Sequence, residues 1–304
     1  MGKGRVLGFT VVAALIGTIV GSLAVSRPAD IWGRRNVLIV MAVFYTVSAL
    51  GSGFAWSLHS FWAFRFVGGI AVGGASVLSP MYIAEISPAK WRGRLVGWQQ
   101  FNVCFGICLA YISNYLVALC PFFVDDIGAW TAEWRWMFLM EAVPAAAFFV
   151  LLFRLPHSPR WLVEKHRVDQ AREVLVRLHA EGVEGVLGEI VESLRDSMDV
   201  VHEKFWQRKY SIPIVGAVAL AAFNQFSGIN ALLYYAPKVF GMSGSDSDTA
   251  LLQSIPIGLM LIISTALGLC LIDKLVAYCG VAVVRPQRVL PAFAGGVAGF
   301  IPRA

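Results

Sequence analysis

Long apolar windows punctuated by short charged knots organise this chain. Charge-free stretches run over residues 6–26, 36–64, 66–84, 95–124, 142–153, 211–237 and 249–272. A helix needs roughly 20 apolar residues to cross about 30 Å of hydrocarbon, and all but the fifth window supply about that length. The fifth reaches it only when extended back to Trp134, which puts Arg135 near its end and Glu141 inside it. The pattern therefore predicts seven membrane-spanning helices. Between the fifth and sixth lies a hydrophilic insert, residues 156–209. There Val168, Ala171, Leu175 and Leu178 recur at helical spacing, as do Ile190, Leu194 and Met198, with charges between them. This periodicity predicts two or three short amphipathic helices against the cytoplasmic face, with a solvated linker as the alternative.

Composition agrees with the pattern. Apolar residues make up 58% of the 304 positions and charged ones 14%, with a mean hydropathy of +0.68, far above the range of soluble domains. The formal net charge of +6 is not a nucleic-acid signature, because the basic residues sit in blocks between spans. Arg27, Arg34 and Arg35 follow the first span; Lys90, Arg92 and Arg94 follow the third. The 118–133 connection carries Asp125, Asp126 and Glu133 and no Lys or Arg. The positive-inside rule puts the basic blocks in the cytoplasm. Lys3 and Arg5 then fall outside, which a preceding helix would explain; a secretory signal formed by "MGKGR" and the first apolar run is the alternative.

Gly17 and Gly21, and Gly69 and Gly73, stand four apart, a spacing that lets helices approach closely in lipid. "GGIAVGG" (68–74) lacks the GxGxxG spacing and a preceding strand, so it reads as helix packing. Cys104, Cys108, Cys120, Cys270 and Cys279 have no paired CxxC spacing; Cys104 and Cys108 share a helix face as small packing residues. No metal site and no cofactor are expected.

The charged knots carry the most specific signal. In chain order "DIWGRR" (30–35), "RFVGGIAVGG" (65–74), "PMYIAEISPAKWRGRLVGWQQ" (80–100), "EWRWMF" (133–138), "PHSPRWL" (156–162) and "NQFSGINALLYYAP" (224–237) resemble the sugar porter family of the major facilitator superfamily. Within it, the proton-linked xylose symporters of bacteria are most similar. The resemblance covers about residues 8 to 274 and matches helices two to eight of the family's twelve-helix plan. It implies an all-α integral membrane fold with residues 1–155 as an N-terminal half lacking its first helix. Residues 156–209 would be a cytoplasmic helical linker, 210–274 the start of the C-terminal half, and 275–304 a tail unlike the family.

A sugar presents a ring of hydroxyls that each donate and accept, so neutral amides suit its site. Gln100 on the fourth span and Gln225 and Asn230 on the sixth are polar groups in apolar helices, and they match the family's sugar-binding positions. Asn224 stands where the family has a second glutamine and Leu261 where it has an asparagine. Tyr234 and Tyr235 would add hydroxyls and a ring face. Charges within a span are expensive, which makes Arg65 and Glu141 functional candidates. The resemblance pairs Arg65 with an aspartate on a first helix that has no counterpart in this sequence. Glu141 is then a coupling carboxylate of its own, a structural partner of Arg65, or a helix-end acid.

At the cytoplasmic surface, Pro80 and Pro88 are expected to break or bend the helices. The resemblance makes Asp30, Arg34, Arg35, Glu85, Arg92, Arg135 and Arg160 a gating charge network whose pairs form in one conformation and break in the other; a static surface network is the alternative. Ile31 and His157 replace an expected arginine and glutamate. The function implied is transport of a monosaccharide, hexose or pentose, by alternating access. Coupling to protons is implied for the intact parent, in the cell membrane, which in a bacterium is the inner one. A sugar-binding sensor is the rival class. Missing counterparts at both ends lead to the expectation that neighbouring DNA encodes the remaining helices and that the chain alone shows no concentrative uptake.

Overall fold

The computed structural model describes residues 3–88, 91–120, 133–178, 182–200, 208–242, 244 and 247–283, all of the regular structure being helical. The order is α1 (Lys3–Ala24), α2 (Ser26–Trp32), α3 (Arg34–Gly53), α4 (Leu58–Ile86), α5 (Arg92–Leu119), α6 (Glu133–Met140) and α7 (Ala142–Leu152). There follow α8 (Pro159–Glu164), α9 (Val168–Leu178), α10 (Val183–Val200), α11 (Arg208–Phe226), α12 (Ile229–Met242) and α13 (Ser247–Val283). Among the described residues six helical segments are long and apolar enough to cross a membrane, or seven if α1 and α2, bent by 46°, form one span. The upper count is the one the apolar windows predict. Large apolar side chains such as Leu23, Ile19, Val143 and Leu151 lie exposed, as lipid-facing residues must.

Backbone chemistry sets the breaks. Pro144 has no N–H for the Met140 carbonyl, and α6 and α7 part at Glu141, whose own N–H turns to Phe138. Pro88 ends α4, because the residue before a proline is pushed out of the helical region; Ser87 is extended at ψ 139°. Pro80, expected to break or bend the chain, does not break it and sits inside the uninterrupted α4. At the other end of α4, Ser57 and Ser60 cap it reciprocally, which satisfies N–H groups the first turn leaves unpaired.

The small residues read from the sequence form the tightest seam. α1 packs along α4 so closely that a methyl group added to Gly17, Gly21, Gly69 or Gly73 would overlap a backbone carbonyl of the facing helix, that of Phe66, Ile70, Ala14 or Thr18 respectively. A second seam joins α5 to α13. There the buried Cys104 thiol lies 3.2 Å from the Thr265 hydroxyl, and a Cβ on Gly258 would meet Cys108 Cα at 2.8 Å. α3 packs against α4, α6 and α7, and its cytoplasmic half buries Val37, Leu38, Met41 and Ala42 with Leu78, Tyr82 and Leu152.

Among the described residues of the 156–209 insert there are three short helices, within the two or three predicted. α8, α9 and the start of α10 bury Trp161, Leu162, Ala171, Leu175 and Leu187 together. α13 continues to Val283, past the end of the last apolar window at residue 272. Arg285, Pro286, Arg288 and Pro291 of the tail, and Asp125 and Asp126 of the 118–133 connection, lie outside the described residues.

Candidate functional site

The cytoplasmic knot closes around Arg34. Gly33, at φ 88°, turns the chain from α2 into α3, a conformation open to glycine at little cost. A side chain there would also strike the Trp161 ring, 3.2 Å from the position of a Cβ. The Trp161 indole N–H donates to the Asp30 carbonyl at 3.0 Å, so α8 clamps the α2–α3 turn. Arg34, 9% exposed, is thereby held between three carboxylates: Asp30 and Glu85, each at 3.2 Å, and Glu164 at 3.9 Å. The Tyr82 hydroxyl donates to the Pro156 carbonyl at 2.6 Å, which ties α4 to the segment leading into α8.

Arg35 points the other way. It donates to the carbonyls of Leu152 and Phe153 at 3.3 and 2.7 Å, groups at the negative pole of α7, the Leu152 carbonyl also accepting from the Leu155 N–H at 3.2 Å. His157 Nε2 lies 3.3 Å from Arg35 Nη1, and the imidazole stacks on Trp161, centroids 5.5 Å apart. Burial, then the charges of Arg35 and Arg167, hold the His157 pKa below its ordinary value. The folded chain thus binds fewer protons here than the unfolded chain. Its stability contribution is full above the ordinary histidine pKa and is lost as pH falls through it. The chain is expected to melt at lower temperature at pH 5.5 than at pH 7.5, and His157→Gln to reduce that difference; equal pH sensitivity in both proteins would contradict this role.

Not every member of the predicted network is here. Arg135 belongs to the opposite end of α3: its guanidinium donates to the Gly53 carbonyl at 2.9 Å and lies over the Trp134 ring. Gly53 is a full helix length, about 29 Å, from Arg34, so Arg135 caps the outer end of α3 and plays no part in the cytoplasmic cluster. The sequence carried the contrary signal, since Arg135 directly follows the acidic 118–133 connection on the side opposite the basic blocks. Arg160 lies half-buried on α8, and the side chain of Arg92 is outside the described residues. Glu164, the third acid, escaped the sequence reading; its signal was its position on the same short apolar helix as Trp161.

Within the membrane, the predicted groups fall into two clusters. Arg65 on α4 lies over the Phe138 ring at 5.2 Å, close enough to Glu141 and to the Tyr45 hydroxyl to interact electrostatically with both. The Arg65 Nε is buried without a hydrogen-bond partner among the described residues. The second cluster sits where the sixth span breaks. Ser227 and Gly228, the latter at φ 71°, separate α11 from α12, and the Asn230 amide donates across the gap to Gln225 Oε1 at 2.6 Å. The Asn224 carbonyl accepts from Ser227 Oγ. Tyr234 is exposed and Tyr235 half-buried. Gln100, on α5, is exposed and has no hydrogen bond among the described residues. The structure therefore bonds Gln225 to Asn230 and brings Arg65 and Glu141 within electrostatic range without an ion pair between them. Among the described residues no hydrogen bond or ion pair links the two clusters to each other or to Gln100.

Comparison with known proteins identifies the family of the chain. Residues 3–276 match the family described as "Sugar (and other) transporter". The D-xylose-proton symporter of Escherichia coli (strain K12) is 36% identical over 291 residues, covering 88% of this chain and 57% of the symporter. The glucose transport protein of Synechocystis sp. is 35% identical over 272 residues, covering 88% of this chain and 58% of that protein. Among solved structures, the proton:xylose symporter XylE bound to 6-bromo-6-deoxy-D-glucose superposes with a TM-score of 0.77 at 36% identity, over 90% of this chain and 61% of that one. The chain thus spans less than two thirds of the length of these relatives.

Proposed function

We propose, for a chain that belongs to the Sugar (and other) transporter family and is an all-helical, multi-pass membrane protein of the major facilitator fold, that its polar membrane groups serve monosaccharide transport by alternating access. The observation that carries this reading is the Gln225–Asn230 hydrogen bond across the broken sixth span. Two amides in an apolar helix are costly unless they have partners. Placed beside unwound backbone, they can exchange their mutual bond for bonds to a sugar hydroxyl, which both donates and accepts. Such broken helices lining a midplane site are a recurring feature of secondary transporters. Relatives named for D-xylose and glucose support a pentose or hexose as the substrate.

In this reading Gln225, Asn230, Tyr234 and Tyr235 supply the sugar contacts of the C-terminal half, and Gln100 that of the N-terminal half. Asn224 keeps an amide within reach. Glu141 beside Arg65 is a protonatable acid held next to a fixed cation. Neutralising it removes an electrostatic attraction between α4 and the α6–α7 break, which supports a proton-coupled cycle. The Arg34 cluster is the cytoplasmic gate, intact in the conformation described. Residues 1–155 and 210–274 act as the two moving bodies, joined by the linker 156–209.

The test is equilibrium binding of D-xylose and D-glucose to the purified chain in detergent, paired with uptake into proteoliposomes. Gln225→Ala is expected to weaken binding by about 1 to 3 kcal/mol, through the loss of buried hydrogen bonds. Glu141→Gln is expected to leave binding in place and to remove its dependence on pH. Saturable binding without uptake would favour a sensor, and failure of both sugars to bind would overturn the site.

A further inference from the structure

Among the cross-helix bonds outside the cytoplasmic cluster and the sugar amides, one compensates a proline. The Tyr111 hydroxyl on α5 donates to the backbone carbonyl of Leu233 on α12 at 2.8 Å. In a regular helix that carbonyl would accept from the N–H four residues on. The residue four on is Pro237, which lies inside α12 and has no N–H. Pro237 therefore leaves the Leu233 carbonyl without its helical partner, and an unsatisfied carbonyl in an apolar membrane interior costs several kcal/mol. Tyr111 supplies the missing donor from a different span.

The position of this bond matters. Tyr111 stands eleven residues after Gln100, which at 100° per residue returns it to nearly the same face of α5, about 16 Å further toward the outer end. Cys104, between them on that face, meets Thr265 of α13. Leu233 is one turn beyond Asn230, so the latch sits just outside the Gln225–Asn230 pair. α12 is freed from α11 by the Ser227–Gly228 break, with Gly228 at φ 71°, and rests on α13.

We propose that Tyr111 is a positioning residue that latches α12 onto α5 by donating to the carbonyl Pro237 leaves free, and that this bond must break for the outer side to open toward the amides. The proposal rests on the transport reading for its consequence, and on geometry alone for the latch. The orphaned carbonyl makes the latch strong when closed. A rotating hydroxyl makes it a single bond to release, with no rearrangement of the proline-bearing helix. Pro237 and Tyr111 thus act as one device contributed by two spans.

The experiment is a double-mutant cycle read by amide hydrogen exchange of residues 229–242 in the purified chain in detergent. Tyr111→Phe keeps the ring and its packing while deleting the donor. It is expected to raise exchange in this segment about fivefold, the effect of one lost hydrogen bond. Pro237→Ala restores an N–H to the Leu233 carbonyl, so Tyr111→Phe added to it is expected to change exchange less than twofold, the amide at 237 being left out. Equal increases in both backgrounds, or none in either, would overturn the latch. D-xylose binding on the same four proteins separates the two ideas. Non-additive exchange without sugar binding in any of them keeps the latch and sinks the sugar site; normal binding with additive or unchanged exchange does the reverse.

Discussion

Replacing Arg34 by alanine is expected to destabilise the chain by about 3 to 5 kcal/mol, the range found when one partner of a buried ion pair is removed. The size follows from what remains. The Glu85 side chain is 11% exposed and pairs with Arg34 Nε at 3.2 Å, and its second oxygen has no hydrogen-bond partner among the described residues. Without the guanidinium it is a poorly hydrated anion. Asp30 and Glu164 are better hydrated, with side chains 57% and 39% exposed, and contribute less. Arg34→Ala combined with Glu85→Ala should therefore regain part of the loss, because the stranded charge is gone. Thermal unfolding in detergent, followed by tryptophan fluorescence, measures both. A double variant no more stable than Arg34→Ala would show that packing, and not the stranded carboxylate, sets the cost.

Gly73→Leu is expected to have an effect of the same order, by another route. Overpacking a filled interior ordinarily costs about 1 to 3 kcal/mol, because flexible side chains yield. Here the obstacle is the Thr18 carbonyl of α1, part of a helix backbone, and yielding means moving the whole helix. α1 should separate from α4, so that a cysteine pair placed at facing seam positions no longer crosslinks. Gly106→Leu is the control: it lies in the same kind of apolar span, but a Cβ there meets nothing within 4 Å, and it should be tolerated. Equal tolerance at both positions would refute the close-packed seam.

Both predictions show how unevenly the structure could be read in advance. Gly17, Gly21, Gly69 and Gly73 announced their seam, because small residues four apart have one strong use in lipid. Arg34 and Glu85 could be placed at one membrane surface from the charge pattern. Their mutual pairing, and the third carboxylate Glu164, depended on how α8 folds back under the α2–α3 turn. Arg135 shows the opposite case. Its charge and its motif placed it in the cytoplasmic network, whereas the packing of α6 against the outer end of α3 carries it to the Gly53 carbonyl.

What the amino-acid order determined by itself was everything governed by the solvent. Hydrocarbon forces each apolar window into a helix with its backbone bonds internal, and some prolines, such as Pro88 and Pro144, mark where those helices break. The amides near Ser227–Gly228 stood out because neutral polar groups are scarce in such windows. Only the tertiary structure decided which orphaned group meets which donor. Pro237 announces that the Leu233 carbonyl lacks a partner, yet nothing local says that Tyr111, more than a hundred positions earlier, will supply it. A hydrogen bond or an ion pair reaches about 3 Å, and the register at which two helices cross is set by the packing of all their side chains together.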